Sequence, residues 1–178
     1  KLLPIMLYFH NDDPNSHNFS VTMTNKTYKE SYVSYFQKKE EYLAMANNVK
    51  KMESFFENKM KKNYNKLESM IHYIKKYLEK GYSLEIQIKG YTSPLHEKTY
   101  NLNLSKRRIA SFINLINQWH QGVLIPYIEN QQLIITKLPF GENRSEKNIS
   151  DNPKDKNSIY SIDAILERKI EVVSIIKL

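Results

Sequence analysis

The chain contains no cysteine among its 178 residues, and only four glycines. Without cysteine there is no disulfide, no thiolate metal site and no cysteine nucleophile, and the redox compartment stays open. Glycines at 81, 90, 122 and 141 are too sparse for a phosphate-cradling loop or a dinucleotide fingerprint. No serine stands in a Gly-x-Ser-x-Gly elbow. The histidines, at 10, 17, 72, 96 and 120, nowhere take the His-Glu-x-x-His spacing of a metal site. His72 falls inside a helical pattern and reads as a packing or surface residue. No apolar run approaches the ~18 residues that a membrane span needs. The opening Lys1-Leu2-Leu3-Pro4-Ile5-Met6-Leu7 lacks the length and cleavage site of a secretory signal. With no initiator methionine, the sequence reads as a domain of a longer protein. Nothing asks for catalysis, a cofactor or a metal, so a non-enzymatic module is expected.

What is present is ordinary for a globular domain: 40% apolar and 26% charged residues. That is too apolar for disorder and large enough to bury a core without staples. Twenty-seven basic residues against 19 acidic give a net charge of +8. Such a surface favours polyanions: nucleic acid, anionic lipid or a carboxylate-rich wall polymer. Lysine is spread throughout rather than focused, so a nucleic-acid interface would require a clustered positive face with exposed aromatics.

Hydrophobic periodicity sets the order of elements. Leu3 to Phe9 reads as a buried strand that ends in the polar turn Asn11-Asp12-Asp13-Pro14-Asn15. Residues 15–28 read as an irregular surface excursion, and Tyr28 to Tyr42 as a helix. Met52, Phe56, Met60, Leu67, Ile71, Ile74 and Leu78 recur at helical steps and predict one long amphipathic helix, closed near Lys80 by Gly81. That stripe is read as core packing, not a cofactor site. Leu84 to Lys89 alternates as a strand. A second helix buries Ile109, Phe112, Ile113, Ile116 and Trp119. A strand over Gln132–Leu138, a long loop over 139–156, a short helix capped by Ser161 and a closing strand from Lys169 complete the chain. The expected fold is an α/β (α+β) sandwich with helices on one face of a small mixed sheet. A single domain is expected, with residues 10–48 as an insertion lacking a core of its own.

Two linked motifs carry a resemblance. A strand ends in Gly90-Tyr91-Thr92-Ser93-Pro94. Tyr100-Asn101-Leu102-Asn103-Leu104-Ser105-Lys106-Arg107-Arg108 then opens a helix. This resembles the OmpA-like peptidoglycan-binding domain, whose pattern is Gly-His-Thr-Asp, a short turn, and Tyr-Asn-x-x-Leu-Ser-x-x-Arg. Glu167-Arg168-Lys169-Ile170-Glu171 is similar to the family's entry into its last strand. Phe140-Gly141-Glu142 stands where the family carries a glycine-containing loop. Together with Asp12-Asp13-Pro14 and Gly-Tyr-Thr-Ser-Pro-Leu, the chain looks like the envelope lipoproteins that include the wall-anchoring subunit of type IX secretion. The resemblance covers residues 3–9 and 48–176.

The resemblance implies non-covalent binding of the peptidoglycan peptide stem in the periplasm. The diaminopimelate-containing stem is then the partner, alongside other envelope or secretion-complex proteins. Contact with the outer membrane would run only through other parts of the full-length protein, and no nucleic acid is implied. In the family, the motif arginine holds a diaminopimelate carboxylate and the aspartate meets its ammonium, a zwitterion clamp. The arginine carries over to Arg108. Arg107 lies about 100° round the helix, so the two are not expected to serve together. The aspartate does not carry over, because Ser93 replaces it, and a hydroxyl cannot stand in for a carboxylate facing an ammonium. Asp12 or Asp13 is the nearest expected substitute; both also suit a plain turn before Pro14. The expected ligand-contacting set is Asn11, Asp12, Asp13, Tyr91, Thr92, Ser93, Asn101, Leu104, Arg108 and Arg168. Two other readings stand beside it: the same fold without the wall ligand, acting as a protein-interaction module, and a basic nucleic-acid-binding domain.

Overall fold

The computed structural model describes residues 2–142 and 149–178; the centre of the expected 139–156 loop lies outside the described residues. Four strands, β1 (Ile5–Tyr8), β2 (Leu84–Tyr91), β3 (Leu133–Gly141) and β4 (Lys169–Lys177), form one sheet in the order β1-β4-β2-β3. β4 pairs antiparallel with both β1 and β2, whereas β2 and β3 run parallel. The fold is therefore the expected mixed α/β arrangement.

Strand alternation decides which face is covered. Leu84, Ile86 and Ile88 of β2 and Ile170 and Val172 of β4 point into the main core, beside Ile5, Leu7 and Leu133. The intervening Glu85, Gln87, Glu171 and Ser174 are half-buried on the reverse face. Glu85 accepts there from Thr136 Oγ1 at 2.6 Å. The main core is closed by α4 (Lys61–Glu79), through Leu67, Ile71, Ile74 and Leu78, and by α5 (Lys98–Gln118), through Ile109, Phe112 and Ile116. Each of these side chains recurs at three- or four-residue steps, which puts it on one helix face.

The long helix runs as expected, with one difference. Between α3 (Val49–Ser54) and α4, residues Phe55–Met60 form a π-helical turn. A π turn adds one residue to the spiral and rotates the downstream face. Consecutive Phe55 and Phe56 can then both enter a second core, with Met52 and Met60, while the α4 stripe enters the first. The helix ends at Gly81, whose φ of 85° is left-handed. Gly81 N–H donates to Leu78 O and Tyr82 N–H to Tyr77 O, the paired bonds of a Schellman cap.

Residues 10–48 are more than a surface excursion. Residues 9–27 are irregular, followed by α1 (Tyr28–Gln37) and α2 (Lys39–Met45). The single helix expected over 28–42 breaks at Lys38. Thr27 caps α1 in a reciprocal box with Glu30. Tyr28 is buried in the main core, and Tyr35 and Tyr42 in the second. The segment has no separate core because its tyrosines complete the two that the rest of the chain begins. Ser161 caps α8 (Ile162–Glu167) as expected, and α7 (Asn157–Tyr160) and α6 (Ile125–Glu129) are short additions.

Candidate functional site

The C-terminal end of β2, the end of β1 and the first turns of α5 meet at one end of the sheet. Glycine makes the approach possible at two points. A Cβ at Gly90 would lie 2.9 Å from the Ser105 carbonyl oxygen, and one at Gly141 would lie 2.9 Å from Leu102 N. The start of α5 thus rests directly on the strand ends. Thr92 N–H donates to Gly141 O (3.0 Å), and Gly141 N–H to Ser105 Oγ (3.3 Å).

Arg108 is fully buried. Its Nε donates to Asp13 O (3.0 Å), Nη1 to Tyr91 O (2.8 Å) and Nη2 to His10 O (3.4 Å). The guanidinium lies 5.2 Å over the Phe9 ring. Burial and the charge of Arg168 lower its pKa, and Asp13 and Asp12 oppose that shift. The expected neighbourhood of the β1 and β2 ends is thus present, and Arg108 is what joins them. Backbone carbonyls occupy the fork that the resemblance assigns to a ligand carboxylate.

Arg107 precedes Arg108 on the helix. It is equally buried and serves the same segment from the neighbouring angle. Nε donates to Pro14 O (3.0 Å), Nη1 to Asn18 O and Val21 O (2.8 Å each), and Nη2 to Tyr100 Oη (3.2 Å). On the same helix face, Asn103 donates to Phe19 O (3.1 Å), and Asn114 to Thr24 O (2.7 Å) and Lys26 O (3.0 Å). A polar stripe of α5 therefore holds residues 14–26 by their carbonyls, as a strap over the end of the sheet.

The two aspartates take different roles. Asp12, buried in a left-handed backbone conformation with φ of 59°, accepts from Tyr100 Oη and from His17 N–H (2.9 Å). His96 Nε2 lies 4.0 Å from Oδ1, the oxygen that accepts from Tyr100. Burial and the Asp12 carboxylate together push Tyr100 up to about 12. Asp13 meets Lys26 Nζ at 3.7 Å through Oδ1, while its Oδ2 is buried without a hydrogen-bond partner.

No protein-family model, no curated protein and no solved structure matches this chain.

The remaining expected residues divide into four groups. Thr92 and Ser93 are buried beside Tyr91, whose ring stacks on Phe140 at 5.6 Å. Asn101 donates to His96 O (2.7 Å) and to Glu142 Oε2 (2.5 Å), leaving its Oδ1 without a partner. Leu104 is buried and Asn11 half-buried. Arg168 lies on the far side of His10. It is buried and donates to Ile159 O (2.6 Å), Ser158 O (3.5 Å) and Tyr42 Oη (3.4 Å), and its own carbonyl accepts from Phe9 N–H. It pins α7 and α2 to β1, and its charge acts on both His10 and Arg108. Tyr42 Oη sits 2.8 Å from His10 Nδ1. Burial first, then the Arg168 charge, lowers the His10 pKa to about 4, so this ring is neutral near pH 7.

Sequence reasoning missed Arg107, Tyr100, Asn103 and Asn114. The signal was faint. All four share one helical face, but polar side chains on a helix ordinarily mark its solvated side.

Proposed function

We propose that this chain is a non-catalytic, OmpA-like wall-anchoring module. It holds the diaminopimelate-bearing stem peptide of peptidoglycan and tethers an outer-membrane-associated protein in the periplasm. The observation that carries the reading is a pair of adjoining opposite charges with unused capacity. Asp13 keeps a buried carboxylate oxygen unpartnered, and its own carbonyl accepts from Arg108. The Arg108 contact to His10 O is the longest of its three, at 3.4 Å. A ligand carboxylate that displaced that carbonyl would form a shorter, charge-assisted bond, and its ammonium would satisfy Asp13. On this reading Asp13 supplies the acid that Ser93 lacks, and Asp12 is committed to Tyr100 and His17.

A second reading is favoured by the strap itself. Backbone carbonyls already accept from all three nitrogens of Arg108, which suits a fold that has given up the wall ligand for a protein partner. Co-sedimentation with purified sacculi separates the two. The first reading predicts pelleting that free diaminopimelate reverses, with Asp13→Asn weakening it about tenfold at an unchanged melting temperature. Protein that stays in the supernatant rejects it and leaves the second.

A further inference from the structure

A groove of about 480 Å³ runs between the π-helical turn and α8, on the second core rather than at the sheet end. Its floor is apolar: Phe55, Ile162 and Leu166. Its rim is cationic, with Lys51, Lys59, Lys62 and Lys66. None of these four lysines makes an ion pair among the described residues. Glu57, on the π turn, is taken by Lys39 and Lys61. The π turn lets Phe55, which packs in the second core with Phe56, also line the groove floor. π turns of this kind recur at functional sites.

From this we infer that the groove docks an acidic protein segment bearing apolar side chains, with its carboxylates on the lysine rim and its apolar groups on the Phe55–Ile162–Leu166 floor. Charge complementarity selects an anion, and the shape selects among anions. A lipid surface is flat and is met by protruding apolar residues, whereas these are recessed. Single-stranded nucleic acid needs exposed rings on which to stack, and the aromatic here, Phe55, is only 4% exposed. A recessed apolar floor of this volume suits side chains carried on a narrow peptide.

The probe is a fluorescein-labelled nonapeptide of alternating glutamate and leucine, titrated into the isotopically labelled chain at low salt. Saturable binding is expected, with amide shift changes concentrated at 51–66 and 162–166. Affinity should fall about tenfold or more in a Lys59→Ser/Lys62→Ser/Lys66→Ser variant and with a peptide whose leucines are replaced by serine. No binding at millimolar peptide overturns the inference. So does equal binding of the serine peptide, or shift changes spread over lysines outside the groove. Binding to phosphatidylglycerol vesicles that the triple variant loses, without peptide binding, would assign the face to lipid instead. The triple variant should pellet with sacculi like wild type, so this inference and the wall reading fail independently.

Discussion

Replacing Arg107 by methionine tests the strap without touching the proposed ligand contacts. Methionine keeps much of the apolar stem and removes all the donors, so packing is largely retained while four hydrogen bonds are lost, to Pro14 O, Asn18 O, Val21 O and Tyr100 Oη. Bonds from a charged donor contribute about 1.5–3 kcal/mol each, and stranded buried acceptors add to the loss. Against this, the variant no longer desolvates a guanidinium, and replacing buried charges by apolar groups often recovers several kcal/mol. The strap carbonyls can also turn to water once released, since Asn18 and Val21 are only half-buried. A net loss of about 3 kcal/mol follows, roughly 6–12 °C in melting temperature for a chain of this length. Urea denaturation followed by circular dichroism gives the energy. Hydrogen exchange gives the location: the His17 and Lys26 amides, which donate within the strap, should lose protection while the β2 and β4 amides keep theirs. A melting temperature within a degree of wild type, with unchanged exchange in the strap, would refute the view that Arg107 holds it.

Three further outcomes are expected. Deleting residues 15–45 should abolish the cooperative melt, because Tyr28, Tyr35 and Tyr42 are buried and contribute ~5–9 kcal/mol between them, comparable to the whole stability of a domain; a cooperative transition in the shortened chain would show the tyrosines to be dispensable. Gly90→Ala should cost about 1–3 kcal/mol in denaturant melts, since the new Cβ would meet the Ser105 carbonyl at 2.9 Å; a loss below ~0.5 kcal/mol would show that α5 is free to shift. The folded chain holds His10 near pKa 4, below its ordinary 6.5, so the unfolded state binds the extra proton. Stability should be full above pH 6.5 and fall by up to about 3 kcal/mol towards pH 4. His10→Gln should flatten that part of the profile, and an identical slope in the variant would contradict the assignment.

The fold was largely legible because its core follows two simple periods. Leu84, Ile86 and Ile88 alternate, and Leu67, Ile71, Ile74 and Leu78 step by threes and fours, so each element announces its buried face. The π turn was hidden because Met52, Phe56 and Met60 look the same in a straight helix; adjacent Phe55 and Phe56 were the clue. Tyr28, Tyr35 and Tyr42 stand seven apart, a spacing that marks one face, yet tyrosine among charges reads equally as surface. The meeting of the β1 and β2 ends was legible, and the carbonyls that fill the Arg108 fork were not. Nothing local distinguishes an arginine fork facing water from one filled by carbonyls 86 to 95 residues away in sequence, because those carbonyls belong to every residue alike.

The most direct test of the wall-binding account is a nuclear magnetic resonance titration of the unmodified chain with diaminopimelate, which depends on no variant. The account predicts saturable amide shift changes at residues 10–14, 90–93 and 104–108. The derivative acetylated on both amines, which keeps its carboxylates and has no ammonium for the clamp to hold, should produce them only weakly. Unchanged spectra at saturating diaminopimelate, or equal responses to the two ligands, would contradict it.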